Sequence, residues 1–529
     1  MPSSEAELQA TLKLISSSPD TAMCRFPARA LWLQKRLALP ELGILKCPEI
    51  REFIEKAPFD RLELVFADES ITQPASVLGH SFLNISGYRN EQEVEHAISF
   101  YTHAETINFP KLLWEALITG KEGLFALTPY AQEEEKYLQG EQRNLWRYKI
   151  RTTAFERELI RNHLFELKNS KLTYFFHRYN CATLLRNILA LTGDLPETSR
   201  WWTTPKDVVK DMQAAERIQT TRVSLSDAWL ATNLSEDILD KANLRHELLT
   251  SSLVQSGRST TRTAKELTAL HAYNRWLKHL GKVDDKTYTA NTTALTAESE
   301  ANEGPSLRVH EQLDPRHSPD QMLWRTEWLD NGRNRKLRLQ WIPVSHTLMQ
   351  SHSHASAETE MILLSPTLSL DGKASVHVEE FQIFSMKSLT PWHSWLRPWS
   401  TQTLISHSSM TGHPLERRSF HATLQLGAMH RQGSIDLFAV AGPGLKMQSG
   451  MAVSPVLRTD AGLLWRHGLT AKSRLTWTHW RDALGSANKF EFEQSWFWKS
   501  DWLVSWKLGT VAQFASHHQS MGLSLMHSF

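Results

Sequence analysis

The chain holds only three cysteines in 529 residues, Cys24, Cys47 and Cys181, and none follows Cys181. No CxxC pair occurs, which excludes a zinc ribbon and a thioredoxin-type redox motif. No apolar run reaches about 18 residues, so a membrane-spanning helix is not expected. The net charge is +2 with both signs interspersed. Without a basic block, nucleic acid is not an expected partner, and without an acidic tail a disordered arm is not expected either. The opening MPSSEAELQA has no basic start and no apolar stretch, so no secretory signal is legible. The exported location argued below needs one. The expectation is therefore a numbering that begins at a processed or mis-assigned N-terminus.

A chain of this length predicts two or three domains. Residues 1–58 read as a helical module. Apolar positions three and four apart mark helices at 5–17 and 28–39, and Pro48 opens a third. An odd cysteine count in an exported chain implies one bridge and one free thiol. Cys24 and Cys47 share this module and form the expected pair, two buried reduced thiols being the alternative. Residues 59–200 read as an α+β unit. RLELVFA is a strand, SVLGHSFLNIS a strand buried on both faces, HAISFYTHAE its returning partner, and TTAFERELIRNHLFELKN an amphipathic helix. Residues 201–292 read as a polar helical bridge and 293–306 as a linker without periodicity.

From 307 to 529 the texture changes. KFEFEQSWFWK puts Phe490, Phe492, Trp496 and Trp498 on one face and Glu491, Glu493 and Ser495 on the other. WLVSWKLGTVAQF sets Trp502, Val504, Trp506, Leu508 and Phe514 against Ser505, Lys507, Gly509 and Gln513. Most of the 20 tryptophans lie after residue 300. A two-residue period with tryptophans near strand ends predicts an antiparallel β-barrel of the outer-membrane type, with about ten strands. The final residue, Phe529, resembles the terminal aromatic that the barrel assembly machinery of bacterial outer membranes reads. The alternative is a soluble barrel or sandwich, and the face that carries the apolar side chains discriminates between them.

Chemistry concentrates at YNCATLLRNILALTG, residues 179–193. A cysteine at a helix start meets unpaired N–H groups and the positive end of the dipole, which favour thiolate and lower its pKa. The same N–H groups can hold an oxyanion. The missing base must be an imidazole from another element, and His80, inside an apolar strand, is the candidate. Core packing is the competing reading for each. Asn180 is expected to cap the helix rather than act chemically. GHSFL lacks the second glycine of a nucleophile elbow. The histidines of HSH (352–354) and HH (517–518) lack a third ligand at zinc spacing, so no metal or cofactor is expected.

ASVLGHSFLNI, AISFYTHAE, EGLFALTPYAQEEEKYLQGEQRNLWRYKI and YFFHRYNCATLLRNIL follow one another as in the Lnb N-terminal periplasmic domain family, which residues 60–195 resemble. The resemblance implies a permuted papain-like (NlpC-like) fold with histidine before cysteine, an order similar to that of lecithin:retinol acyltransferase. It implies His80 as base and Cys181 as nucleophile. His103 is the candidate third member, with a solvated strand-end histidine as the alternative. Glu141 and Arg143 are a structural ion pair or a substrate contact. The expected whole is an outer-membrane protein with a periplasm-facing cysteine acyltransferase or hydrolase. It would work through an acyl-cysteine thioester on lipid or lipoprotein acyl groups, with outer-membrane lipid as a further partner. The alternatives are a peptidoglycan amide hydrolase with the same dyad and a barrel carrying an inert binding module.

Overall fold

Four short helices begin the chain: α1 (Ser4–Ser17), α2 (Pro19–Arg25), α3 (Pro27–Leu37) and α4 (Pro48–Lys56). Three of them start on proline, whose missing N–H and fixed φ suit the first turn. A disulfide joins Cys24 to Cys47, with Cα atoms 5.3 Å apart, and leaves Cys181 as the free thiol. Ile15, Met23, Leu33 and Ile50 pack around it and against Phe165. The computed structural model describes residues 3–39, 47–69, 78–102, 111, 114–168, 170–197, 200, 202–234, 241–250, 262–300, 314–332, 334–351, 357–372, 375–392, 397–409, 418–448, 452–483, 485–513 and 516–529. It divides into two units, Met1–Asp227 and Ala228–Phe529.

The first unit is built on one antiparallel sheet. Its strands are β1 (Arg61–Ala67), β2 (His80–Arg89), β3 (Gln92–Tyr101), β4 (Lys121–Pro129), β5 (Leu145–Ile150), β6 (Leu172–Tyr174) and β7 (Ile218–Ser224). Their order is β6-β4-β3-β2-β1-β5-β7, so β2 is central. That position explains why β2 is apolar on both faces. Phe82 packs with Val65, Ala97, Tyr130 and Tyr137 in one core layer, and Ser81, Leu83 and Ile85, on the opposite face, are fully buried. Helices α5 (Tyr130–Glu135), α6 (Ala154–Lys168), α7 (Cys181–Leu189) and α8 (Pro205–Ala214) complete the unit. The unit thus runs past residue 200. β7 pairs with β5 from Ser224↔Leu145 to Ile218↔Ile150, so the 201–292 stretch does not form one helical bridge.

In the second unit α9 (Asp227–Asn233), α10 (Lys241–Thr250), α11 (Ala264–His279) and α12 (Asp285–Glu300) share a core of Leu244, Leu248, Leu270, Tyr273, Leu277 and Leu295. Residues 293–300, expected as linker, are helical. Alanine, leucine and glutamate there favour helix, and Asp284 accepts the Thr287 N–H at the start.

The remaining strands are β8 (Leu323–Asp330), β9 (Arg335–Ile342), β10 (Val344–His346), β11 (Glu358–Asp371), β12 (Val376–Leu389), β13 (Ser400–Ser408), β14 (Ser419–Gln432), β15 (Ile435–Met447), β16 (Ser454–His467), β17 (Ala471–Asp482), β18 (Gly485–Lys499), β19 (Trp502–Gln513) and β20 (Ser516–Ser528). From β11 to β20 consecutive strands pair antiparallel, as do β8 and β9. β20 returns to β8, and β9 pairs with β11, which closes the ring. The short β10 continues the line of β9 along β11. The closed ring therefore has twelve strands rather than about ten. Turns as tight as Gln432 to Ile435 and Asp482 to Gly485 leave chain for two more. Leu424, Leu437, Leu475, Phe490, Trp496 and Leu523 stand exposed on the outer face. The inner face carries charge: Arg474 meets Glu491 at 2.8 Å and Glu493 at 2.7 Å, and Arg338 meets Glu327 at 3.1 Å and Glu379 at 2.6 Å. Apolar outside and charged inside is the inverse of a soluble barrel and is what a lipid surround requires.

Candidate active site at the Cys181 helix

The turn before α7 is closed by a two-way backbone bridge between Phe175 and Tyr179, with both bonds at 3.1 Å. Asn180 then caps the helix. Its Oδ1 accepts from the Thr183 N–H at 2.9 Å and the Thr183 hydroxyl at 3.1 Å. Its Nδ2 donates to the carbonyls of Phe176 (2.8 Å) and Thr203 (2.9 Å). Both ends of the amide are occupied structurally, as a capping role requires. The cap sets Cys181 as the first helical residue. The apolar face of α7, with Ala182, Leu184, Leu185, Ile188 and Leu189, is buried behind it.

Cys181 is only 6% exposed. Its sulfur lies in a cradle of donors: the Ser81 N–H, the Tyr174 hydroxyl, the Ala182 N–H and its own N–H. Burial nevertheless dominates and pushes the thiol above its ordinary range. This corrects the expectation of a lowered pKa. The helix terminus and the cradle do favour thiolate, but taking the charge out of water opposes them more strongly.

His80 opens β2, one residue before Ser81, whose main-chain N–H acts on the Cys181 sulfur. The preceding glycine makes the turn possible. Gly79 has φ +83°, and a Cβ there would lie 2.6 Å from the Phe66 ring and 3.0 Å from the Ala67 carbonyl oxygen. The imidazole stacks 6.1 Å from Tyr137 and 6.4 Å from Phe82, centroid to centroid. Burial, then the charges of Arg143 and Lys136, hold its pKa at about 3. Tyr137 is linked to both candidate residues. Its ring lies on His80, and its hydroxyl, raised chiefly by burial, also feels the Cys181 charge.

Arg143 is nearly fully buried. It meets Glu141 at 2.8 Å and donates to the carbonyls of Asp68 (2.6 Å) and Ala67 (2.9 Å) at the end of β1. Its guanidinium also covers the Tyr137 ring at 5.0 Å. Asp68 accepts from Asn144 and Trp146 at 2.9 and 3.0 Å, and Glu69 pairs with the buried Lys206 at 2.7 Å. These bonds fix the chain where it leaves β1.

His103 lies outside the described residues, as do residues 352–354. On its strand Ser99 is buried and Tyr101 is 37% exposed. His517 and His518 lie on β20. Among the described residues no group of three or more histidine, cysteine or acidic side chains has metal-binding geometry. Sequence reasoning missed Tyr174 and Ser81. The aromatic run LTYFF before the cysteine was the one available signal for Tyr174. Nothing in the sequence marks a main-chain N–H.

Residues 49–214 match the family described as the Lnb N-terminal periplasmic domain. Residues 312–527 match a domain of unknown function, DUF7840, and residues 2–36 another, DUF7843. No curated protein matches the chain. Similar solved structures include the NanC porin, at 9% identity, covering 39% of this chain and 100% of that one, with a TM-score of 0.27. The KdgM porin matches at 13% identity, 39% and 98% coverage and TM-score 0.25. An outer membrane channel from Pseudomonas putida F1 matches at 8% identity, 42% and 100% coverage and TM-score 0.27.

Proposed function

This chain is an outer-membrane protein with a periplasmic domain of the Lnb N-terminal family, and we propose that this domain is a cysteine acyltransferase or hydrolase acting on lipid or lipoprotein acyl groups. The observation that carries the reading is the cradle around the Cys181 sulfur: the N–H groups of Cys181 and Ala182 at the helix start, the Tyr174 hydroxyl, and the N–H of Ser81, which follows His80 on β2. Such donors serve the charge that develops on sulfur as its proton leaves and the oxyanion that forms once a carbonyl carbon is attacked.

At rest both partners are neutral, a thiol raised by burial and an imidazole held at about 3. A preformed thiolate–imidazolium pair is therefore not the starting state, and proton transfer accompanies attack. The sulfur adds to the acyl carbon while its proton passes to His80. The ester C–O bond then breaks, and His80 returns the proton to the leaving alcohol, giving an acyl-cysteine thioester. An amine or water next attacks the thioester and loses a proton to His80. The C–S bond breaks and the thiol is restored. The family name and the lipid-embedded barrel favour a lipid or lipoprotein donor.

The test is mass spectrometry of the full-length protein after exposure to phospholipid vesicles. An acyl mass on Cys181, absent from His80→Ala and Cys181→Ala, is expected. A parallel comparison of lipid and muropeptide profiles in a Cys181→Ala strain assigns the substrate. Altered muropeptides alone would point to peptidoglycan amides. No change in either profile, with no acyl mass, would leave an inert binding module.

A further inference from the structure

Residues 347–350, just after β10, turn into the barrel rather than away from it. Thr347 and Gln350 close a tight turn: the Gln350 side-chain oxygen accepts the Thr347 N–H at 3.0 Å, and the Gln350 N–H donates to the Thr347 carbonyl at 3.1 Å. The tip residues Leu348 and Met349 are 0% and 4% exposed. They pack on Leu389, Met429, Phe438, Val440 and Leu464. Those side chains come from β12, β14, β15 and β16. On β14 and β15 the burial alternates with period two, and Met429, Phe438 and Val440 fall on the buried, inner face.

Ties to other sectors of the wall hold the turn. The Lys472 ammonium, on β17, donates to the Leu348 carbonyl at 2.6 Å and pairs with Glu358. The Leu348 N–H reaches Glu360 of β11 at 3.4 Å, and the Gln350 amide donates to Ser528 of β20 at 3.0 Å. A loop lying on the outside of a twelve-strand ring cannot touch β11, β12, β14 to β17 and β20 at once. Only a segment lying across the lumen can. Met349 also borders a lumenal cavity of about 390 Å³ with Arg325, Glu327, Lys387 and Asp460 in its lining. A buried ammonium shared between the Leu348 carbonyl and the Glu358 carboxylate would lose one of its two partners if the turn moved, so the position of the turn is specified rather than incidental.

We propose that the Thr347–Gln350 turn is a stopper that keeps this barrel from conducting, so that the barrel serves as a sealed anchor and not as an open pore. Leu348 and Met349 fill the lumen at the end where β8 starts and β20 finishes, and Lys472 is the latch. The test is electrical. Native full-length protein in planar bilayers bathed in KCl is expected to show no steady conductance steps. Leu348→Gly/Met349→Gly is expected to show discrete steps, and so is Lys472→Met, which loosens the latch without emptying the tip. Retained heat-modifiable gel mobility verifies folding of each variant. Cross-linking Gln350→Cys to Ser528→Cys with a short bis-methanethiosulfonate, in a Cys181→Ala background, is expected to silence the Lys472→Met channel. Steady steps from the native protein as large as those of the variants would overturn the proposal. So would folded variants that stay silent.

Discussion

Tyr174→Phe isolates one donor of the sulfur cradle. The ring still packs 5.3 Å from Phe100 and 5.4 Å from Phe176, so what is lost is the hydroxyl that bonds the Cys181 sulfur. A hydrogen bond to a charged acceptor contributes about 1.5–3 kcal/mol. At about 1.4 kcal/mol per pKa unit, the thiol midpoint should rise by about one to two units. The native midpoint already lies above the ordinary thiol value because burial outweighs the cradle. The assay is the rate of iodoacetamide labelling of Cys181 between neutral and strongly alkaline pH, read by peptide mass spectrometry and divided by the rate in urea. Near pH 8, Tyr174→Phe should label about 10- to 100-fold more slowly than the native protein, in step with the shifted midpoint. A native midpoint below that of the unfolded chain, left unmoved by Tyr174→Phe, would refute the placement of the hydroxyl and the dominance of burial together.

Acid should loosen the periplasmic part. His80 is held at about 3 when folded and returns to about 6.5 when unfolded. Its contribution is thus complete above about pH 6.5 and is lost as pH falls toward 3, at up to about 1.4 kcal/mol per unit. Limited proteolysis across that window should accelerate in the native protein and flatten in His80→Phe. Asn180→Ala removes a cap and leaves two carbonyls without their donor, a loss of about 2–4 kcal/mol that equilibrium urea exposure of Cys181 to a thiol reagent should register. Opening the Cys24–Cys47 bridge, which spans 23 positions, should cost about 3 kcal/mol by the loop-entropy relation. A lowered melting temperature in reductant, absent from Cys24→Ser/Cys47→Ser, checks it.

The barrel was the most legible part of the sequence, because alternation sorts Phe490, Phe492 and Trp496 from Glu491, Glu493 and Ser495 before any pairing is known. Strand number was less legible, since two-residue turns leave little punctuation. Residues 293–300 misled because a helix whose buried side chains are Asn291 and Leu295 has hardly any apolar stripe. At the site, GH and NC named residues that open β2 and α7, and Ser81, the neighbour of His80, acts on the Cys181 sulfur through its N–H. The direction of the thiol shift was not readable, because it depends on how deeply neighbouring elements bury the sulfur. Ser81 contributes only a main-chain N–H, which any residue but proline would supply.

The ring is joined by its last strand against its first, from Met521↔Asp330 to Ser528↔Leu323. A chain without β20 therefore has two raw edges, one at β8 and one at β19, each a row of unsatisfied amides ready to zip onto a stranger. No ribosome can release a half-finished version that is harmless. Biogenesis must keep the polypeptide shielded until the thirteen-residue β20 has emerged, and a stop codon before Ser516 should produce aggregates or degradation rather than a smaller cylinder.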